Sequence, residues 1–238
     1  MIAGLLTCLN LLACTGDAPA RETTLRLPEL ENAPAIDGCI HENEWKGATE
    51  IPAPKQGRLL LARRDGRVFV GADPREVGIV SIYLMMGRTI SVLHASYSIG
   101  TAEYAQADPG WKNTRSFEWE RPEIAAGKTS KAVEANFAKR RWSGTRTDSG
   151  CDDAMEIMID ESLLSQAPGN APVRVAISFF SLKRGTTAWT WPADLTDSTT
   201  DIDLQKGDTP ALLEFGTENW VTLRADSVPK KGDPSDVK

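Results

Sequence analysis

The sequence predicts an all-β fold, a two-sheet antiparallel β-sandwich of jelly-roll type with one or two short helices, and three observations predict it. Apolar residues recur with a period of two almost throughout from Leu27 onward. Around ten short runs of strand formers are separated by turn residues, the spacing of a sandwich or a jelly roll. In "RLLLARRDGRVFVGAD", Asp65-Gly66 divides two such runs. This is the strongest hairpin signal in the chain, because a two-residue I′ turn needs positive φ at both central positions.

The remaining elements follow in order. "GIVSIYLMM" and "RTISVLHASYSIG", separated by Gly87-Arg88, predict a second hairpin. In its second strand Ile90, Val92 and His94 share one face and Ser91, Leu93 and Ala95 the other, so both faces are expected to be partly covered. "TRSFEW", "DAMEIMID", "VRVAISFFSL", "TTAWTW", "ALLEF" and "WVTL" supply six further strands. The one clear helical segment is "SKAVEANFAKRRW", with Ser130 as N-cap and Val133 and Phe137 at i, i+4; "ESLLSQ" reads as a single turn. The tail 225–238 has little to bury and is expected to be mobile.

At 238 residues, 41% apolar and 25% charged, the chain suits one large β domain or two small ones. A net charge of -6 argues against general nucleic-acid binding, which needs Lys and Arg to neutralise many phosphates. No internal repeat of fixed period is visible.

"MIAGLLTCLNLLACTG" is apolar, uncharged and shorter than the ~20 residues a bilayer-spanning helix needs. It reads as an export signal. Leu11-Leu12-Ala13-Cys14-Thr15-Gly16 resembles the bacterial lipobox, in which the signal is cleaved before a cysteine that then carries lipid. A Lys or Arg between Met1 and the apolar run, usual in such signals, is missing. Residues 1–13 are therefore expected to be the signal, Cys14 the lipidation site, 14–26 a tether and 27–224 the sandwich. The expected address is the cell envelope, as a membrane-anchored lipoprotein on the periplasmic or outer surface, with plain secretion as the alternative.

Cys8 leaves with the signal and Cys14 carries lipid, so the exported domain keeps Cys39 and Cys151. Two cysteines in such a domain suggest a disulfide, worth roughly 4 to 5 kcal/mol for a loop of over about 100 residues by chain entropy. Two buried thiols are the competing reading.

Ile36-Asp37-Gly38, Glu42, Trp45 and Ala48 resemble the IDG-x-x-x-E-x-x-W-x-x-A motif of carbohydrate-binding module family 9 and its relatives, which overlap in fold with DOMON-type sandwiches. The hairpin around Asp65-Gly66, "DAMEIMIDESLL" and "TPALLEFGTENWVTL" resemble later strands of that family. The resemblance implies an exported two-sheet sandwich, commonly attached to or lying near glycan-processing proteins. Within the motif, Asp37-Gly38 is a turn signal and Glu42 to Trp45 is the length of one helical turn. Trp45, which can bury on the order of 200 Å², reads as a plug closing the open end of the sandwich rather than a sugar platform. Glu42 is expected to cap or pair locally, and His41 to be exposed.

Sugar recognition needs flat aromatic faces and flanking polar groups. Trp111 in "DPGWKN" and Trp142 in "KRRWSG" lie in turn-like contexts, and Trp189 and Trp191 in "AWTWP" point the same way if that segment is extended. These four are the candidate glycan-binding residues, against the alternative of tryptophans packed under loops. "ADLTDSTTDIDLQKGD" offers Asp197, Asp201 and Asp203, with Asp194 and Asp208, as calcium candidates without EF-hand spacing, or as a solvated loop. Lys128, Lys131, Lys139, Arg140, Arg141 and Arg146 against Glu134 make segment 128–146 basic. It suits anionic lipid, acidic glycan or an acidic partner, or is a solvated helix face.

Some relatives in this fold class hold haem b through methionine with histidine or lysine. His41, His94, Met85 and Met86 are the residues available, but adjacent strands would set them side by side rather than across a haem. No G-x-S-x-G, H-E-x-x-H, P-loop or C-x-x-C pattern is present. The expected function is a non-catalytic exported domain without a cofactor, binding a glycan or serving as an envelope interaction module.

Overall fold

The alternating runs become strands in the computed structural model, which describes residues 24–151, 153–165 and 172–224. The expected signal, the lipidated Cys14, residues 14–23 of the tether and the tail 225–238 lie outside the described residues. In chain order the strands are β1 (Thr24–Arg26), β2 (Thr49–Ala53), β3 (Gly57–Arg64), β4 (Arg67–Asp73), β5 (Gly78–Met86), β6 (Thr89–Ala95), β7 (Ile99–Gln106) and β8 (Trp111–Glu120). Helix α1 (Lys131–Arg140), β9 (Trp142–Gly144), β10 (Met155–Asp160), α2 (Glu161–Ser165), β11 (Val173–Ser181) and β12 (Thr186–Trp191) follow. The described chain closes with α3 (Ile202–Gln205), β13 (Leu212–Leu213) and β14 (Val221–Arg224).

These strands build two sheets. The larger, nine-stranded among the described residues, runs β1-β14-β11-β5-β6-β7-β8-β13, with β12 pairing β11 on the edge away from β5, beyond the stretch that β14 pairs. The smaller runs β2-β3-β4-β10-β9. Every pairing is antiparallel except β1 with β14, which is parallel. The last three residues of the expected tether are therefore a strand. They satisfy the backbone groups on the free edge of β14, which an unpaired edge would leave open.

Period-two patterning fills three layers of core. Leu59, Leu61, Val70 and Ile157 of the small sheet face Ile82, Leu93, Val175 and Ile177 of the large one in the central core. The outer face of the large sheet, including Tyr83, Val92 and Tyr104, is covered by Leu204, Leu213, Phe215 and Trp220. The outer face of the small sheet, with Leu60, Phe69 and Met158, is covered by Ile36, Trp45 and Val133. Both faces of β6 are thus covered, where its alternation leads to the expectation of partial cover, while β8 stays largely exposed.

Four strands escape a reading by period. β2 carries Pro52, tolerated because β2 is an edge strand. β1 and β9 have only three residues each. β7 begins inside the run taken as one strand, after a break at Ser96–Ser98. Its buried positions include Gly100 and Ala102, which hide the pattern, and a Cβ at Gly100 would lie 2.6 Å from the Trp119 ring. Helix α1 is as expected: the Ser130 side chain accepts from Val133 N at 3.1 Å, and Arg141 in the left-handed region ends it.

Candidate functional site

The run from Ile36 to Ala48 holds polar residues dense enough for a site, and the structure spends them on architecture. The backbone N–H groups of Asp37 and Gly38 donate to Glu156 Oε2 at 3.0 and 2.8 Å. The Trp45 indole Nε1 donates to Glu156 Oε1 at 3.0 Å. Asp37 accepts from Cys39 N at 2.9 Å and Gly127 N at 2.5 Å. Trp45 N donates to His41 O at 3.2 Å, closing the single turn expected there. Glu42 pairs with Arg58 at 2.7 Å, and His41 is exposed.

Trp45 is buried, but it does not close the end of the central core. It lies on the outer face of the small sheet, against Gly71 of β4, where a Cβ would come 2.9 Å from its Cζ2. The bare glycine and the buried carboxylate of Glu156 together make its socket. Glu156 is fully buried, and desolvation pushes its pKa up to about 8 against the opposing pull of its three N–H donors. Cys39 and Cys151 form a disulfide with a Cα–Cα distance of 4.8 Å and a sequence separation of 112. Asp37, Cys39 and His41 are the one cluster of three metal-type ligands among the described residues. The Cys39 sulfur is oxidised in that disulfide, so the cluster offers no thiolate.

The four candidate tryptophans separate into two kinds. Trp142 is 1% exposed in the central core, and its Nε1 donates to Thr101 Oγ1 at 2.8 Å. Trp111 is buried under the large sheet's outer cover, edge-on to Phe215 at 6.3 Å. Neither presents a free ring face for stacking, and the reason lies in their contexts: "KRRWSG" and "DPGWKN" read as turns but are the first residues of β9 and β8. Trp189 and Trp191 are half-buried on one side of β12, opposite Phe179 and Ile177 of β11. Trp189 stacks on Phe179 at 5.6 Å with planes 19° apart, and its Nε1 is buried without a partner.

Trp189 and Trp191 form one wall of a crevice of about 210 Å³ between the margins of the two sheets. Ile51, Pro52 and Pro54 of the β2 margin form the other. At Ala193 and Asp194 the crevice meets a wider trough of about 810 Å³, lined by Trp111, Asp197, Glu214, Glu218 and Asn219. The cis Trp191-Pro192 bond lies at this junction, and Asp194, exposed with φ 62°, stands between the two cavities. The trough lining holds carboxylates and an amide but no Lys or Arg.

Sequence reasoning passed over Trp119, which is 42% exposed and stacks on Phe117 at 4.8 Å. It ends the run "TRSFEW", where nothing local separates an outward indole from an inward one.

The calcium candidates serve as caps. Asp197 accepts from Thr199 N at 2.9 Å through Oδ1, and from Gly216 N and Trp220 Nε1 at 2.8 and 3.2 Å through Oδ2. Asp201 accepts from Asp203 N and Leu204 N at the start of α3. Asp203 is exposed, and the three do not bring their ligand atoms together. His94 is buried with Nδ1 3.0 Å from Ser81 Oγ, under Phe117 and Trp119, so no haem face is open to it. Met85 and Met86 lie further along β5, opposite Ile90 and Thr89. Most of the basic segment is paired: Lys139 and Arg140 with Glu120, Arg141 with Asp160 and Arg146 with Asp148.

No protein-family model and no curated protein matches the chain. Among solved structures it is similar to a carbohydrate-binding module family 9 domain from Caldicellulosiruptor kristjanssonii in complex with cellotriose, at 13% identity and a TM-score of 0.36. That similarity covers 86% of this chain and 96% of the other.

Proposed function

We propose that this domain is a non-catalytic module that binds a neutral glycan in the crevice beside β12 and the trough it opens into. The observation that carries the reading is the pairing of Trp189 with Trp191 on one wall of a crevice that leads to Asp194. An indole offers the apolar C–H face of a sugar ring a flat partner, and carboxylate and amide oxygens such as those of Asp194, Glu214, Glu218 and Asn219 accept from hydroxyls. With four carboxylates and no cation in the lining, uronic or sulfated glycans are repelled at about 1 kcal/mol per pair at 4 Å in water, and more where solvent is excluded. Calorimetric titration with soluble neutral oligosaccharides tests this: heat that vanishes in Trp191→Ala supports it, and silence across cello-, xylo-, manno- and chito-oligosaccharides overturns it.

The same reading assigns the domain to the cell envelope, anchored through lipid at Cys14 or secreted, with no nucleic-acid partner. The Cys39–Cys151 disulfide supports it, since such bonds persist in oxidising compartments. Loss of membrane fractionation in Cys14→Ala distinguishes anchoring from secretion. The second reading, an envelope interaction module without a small ligand, draws on the exposed Trp119–Phe117 stack. Trp119→Ala leaving glycan titrations unchanged while abolishing co-purification of an envelope protein would favour it.

A further inference from the structure

The large sheet is wider than the small one, so the inner faces of β7 and β8 extend past β9 and are roofed by the end of α1. Under that roof lies a separate cavity of about 200 Å³. Its floor is apolar: Leu84, Met86, Leu93, Trp142 and Leu163. Its mouth is charged, and on the inner side of strands where a core would carry aliphatics stand Thr101, Glu103, Arg115 and Glu118.

Arg140 sets the chemistry of that mouth. Its side chain is 8% exposed, its Nη1 donates to Glu118 O at 3.0 Å and its Nη2 to Glu120 at 3.2 Å, while its Nε is buried without a partner. A guanidinium Nε–H belongs to the fork that pairs with a planar carboxylate, and a buried donor left unmade is costly. Lys139 shares the same Glu120 oxygen at 2.5 Å, so two cations divide one carboxylate. Glu103 and Glu118 also face the mouth, but they are held by Arg115 at 3.5 and 2.9 Å and are far more exposed than Arg140, so water screens them more.

We propose that this cavity binds a small amphipathic carboxylate, its alkyl or aryl body on the Leu84–Leu93–Trp142 floor and its carboxylate on Arg140. The volume holds on the order of seven water-sized groups, the scale of a six- to eight-carbon acid. This site uses the basic segment of the sequence and is independent of the glycan crevice, with which it shares no lining residue. Trp142 contributes as apolar floor rather than as a sugar platform.

Octanoate, 1-octanol and octylamine, each below its aggregation limit, are titrated against the whole domain by thermal shift and calorimetry. Octanoate is expected to bind at least about tenfold more tightly than octanol, the scale of one charge-assisted hydrogen bond, and octylamine not at all. Arg140→Met should reduce the affinity for octanoate to that for octanol. Ser91→Leu, which fills the cavity from β6 and leaves every charged residue in place, should abolish binding of both while the domain stays folded. Equal binding of octanol, tighter binding of octylamine, no binding of octanoate, or octanoate binding unchanged in Ser91→Leu would each overturn the assignment.

Discussion

The Trp45 indole donates its N–H to the Glu156 carboxylate at 3.0 Å across 111 residues of sequence, and the same carboxylate holds the backbone turn at Asp37-Gly38. A carboxylate that accepts three N–H groups in a dry socket is an assembly point for the chain. It ties the stretch before β2 to β10, so the motif resembling a family signature is a latch and not a reactive centre.

Glu156 makes that latch sensitive to pH. Burial raises its folded pKa from 4.5 to about 8, so the folded state holds the proton more strongly than the unfolded one. Its contribution is fully present below pH 4.5 and is lost as pH rises towards 8. Denaturant midpoints should fall from pH 6.5 to 8 in the wild type, where no opposing histidine titration acts, and that slope should flatten in Glu156→Gln. That variant presents an amide N–H where an acceptor is needed, and should cost about 1 to 3 kcal/mol at pH 5.

The disulfide beside the latch should contribute about 2 to 4 kcal/mol, the usual realised share of the roughly 4 to 5 kcal/mol that chain entropy allows for its loop, measured as the loss of unfolding free energy on reduction or in a Cys39→Ser, Cys151→Ser double variant. Intact mass should rise by two hydrogens on reduction. Its approach depends on two glycines: Gly38 has φ +84°, and a Cβ there would stand 2.7 Å from Gly150 Cα and 2.9 Å from Ser149 O. Gly38→Ala should therefore destabilise by more than about 1 kcal/mol, even with both cysteines intact.

The sandwich was legible because alternation and the Asp65-Gly66 turn are local, and Asp65 and Gly66 do take positive φ, 50° and 71°. The Cys39–Cys151 pairing was legible from the cysteine count together with the expectation of export. The direction of each tryptophan was not. Trp142 and Trp191 have equally ambiguous neighbours and both stand on outer strands against the central core; what separates them is that Trp142 is fully enclosed and bonded to Thr101, while Trp191 stays half-buried beside the crevice. Glu156 was invisible too, since a glutamate within an apolar strand reads as its solvent face until Asp37, Gly38 and Trp45 arrive from 111 to 119 residues away.

His94 imposes the opposite pH dependence to Glu156. Desolvation lowers its folded pKa from 6.5 to about 3, so the unfolded state binds the proton more strongly. Stability is full above pH 6.5 and lost as pH falls towards 3. Between pH 6.5 and 4.5 the two titrations offset each other in the wild type, so His94→Gln should turn a nearly flat stretch into stability that rises as pH falls, and the Glu156-dependent alkaline limb should stay. A curve unchanged below pH 6 would remove His94 as the cause.

Trp142 and Trp191 supply the sharpest contrast, because the same substitution should act on different quantities. Trp142 is enclosed by the central core and hydrogen-bonded to Thr101, so Trp142→Ala leaves a cavity and an unpaired hydroxyl. It should cost about 3 to 5 kcal/mol in unfolding free energy, the usual range for deleting a buried aromatic. Trp191 is half-buried at the sheet margin with part of its ring in the crevice, so Trp191→Ala should cost about 1 to 2 kcal/mol. If the crevice takes a sugar ring, Trp191→Ala should weaken oligosaccharide binding at least about tenfold, one lost stacking contact of roughly 1.4 kcal/mol, with the fold retained by circular dichroism. Urea titration and calorimetry on the two variants separate the roles. Equal loss of stability in both, with glycan affinity unchanged in Trp191→Ala, would show that the tryptophans of β12 only close the sandwich margin.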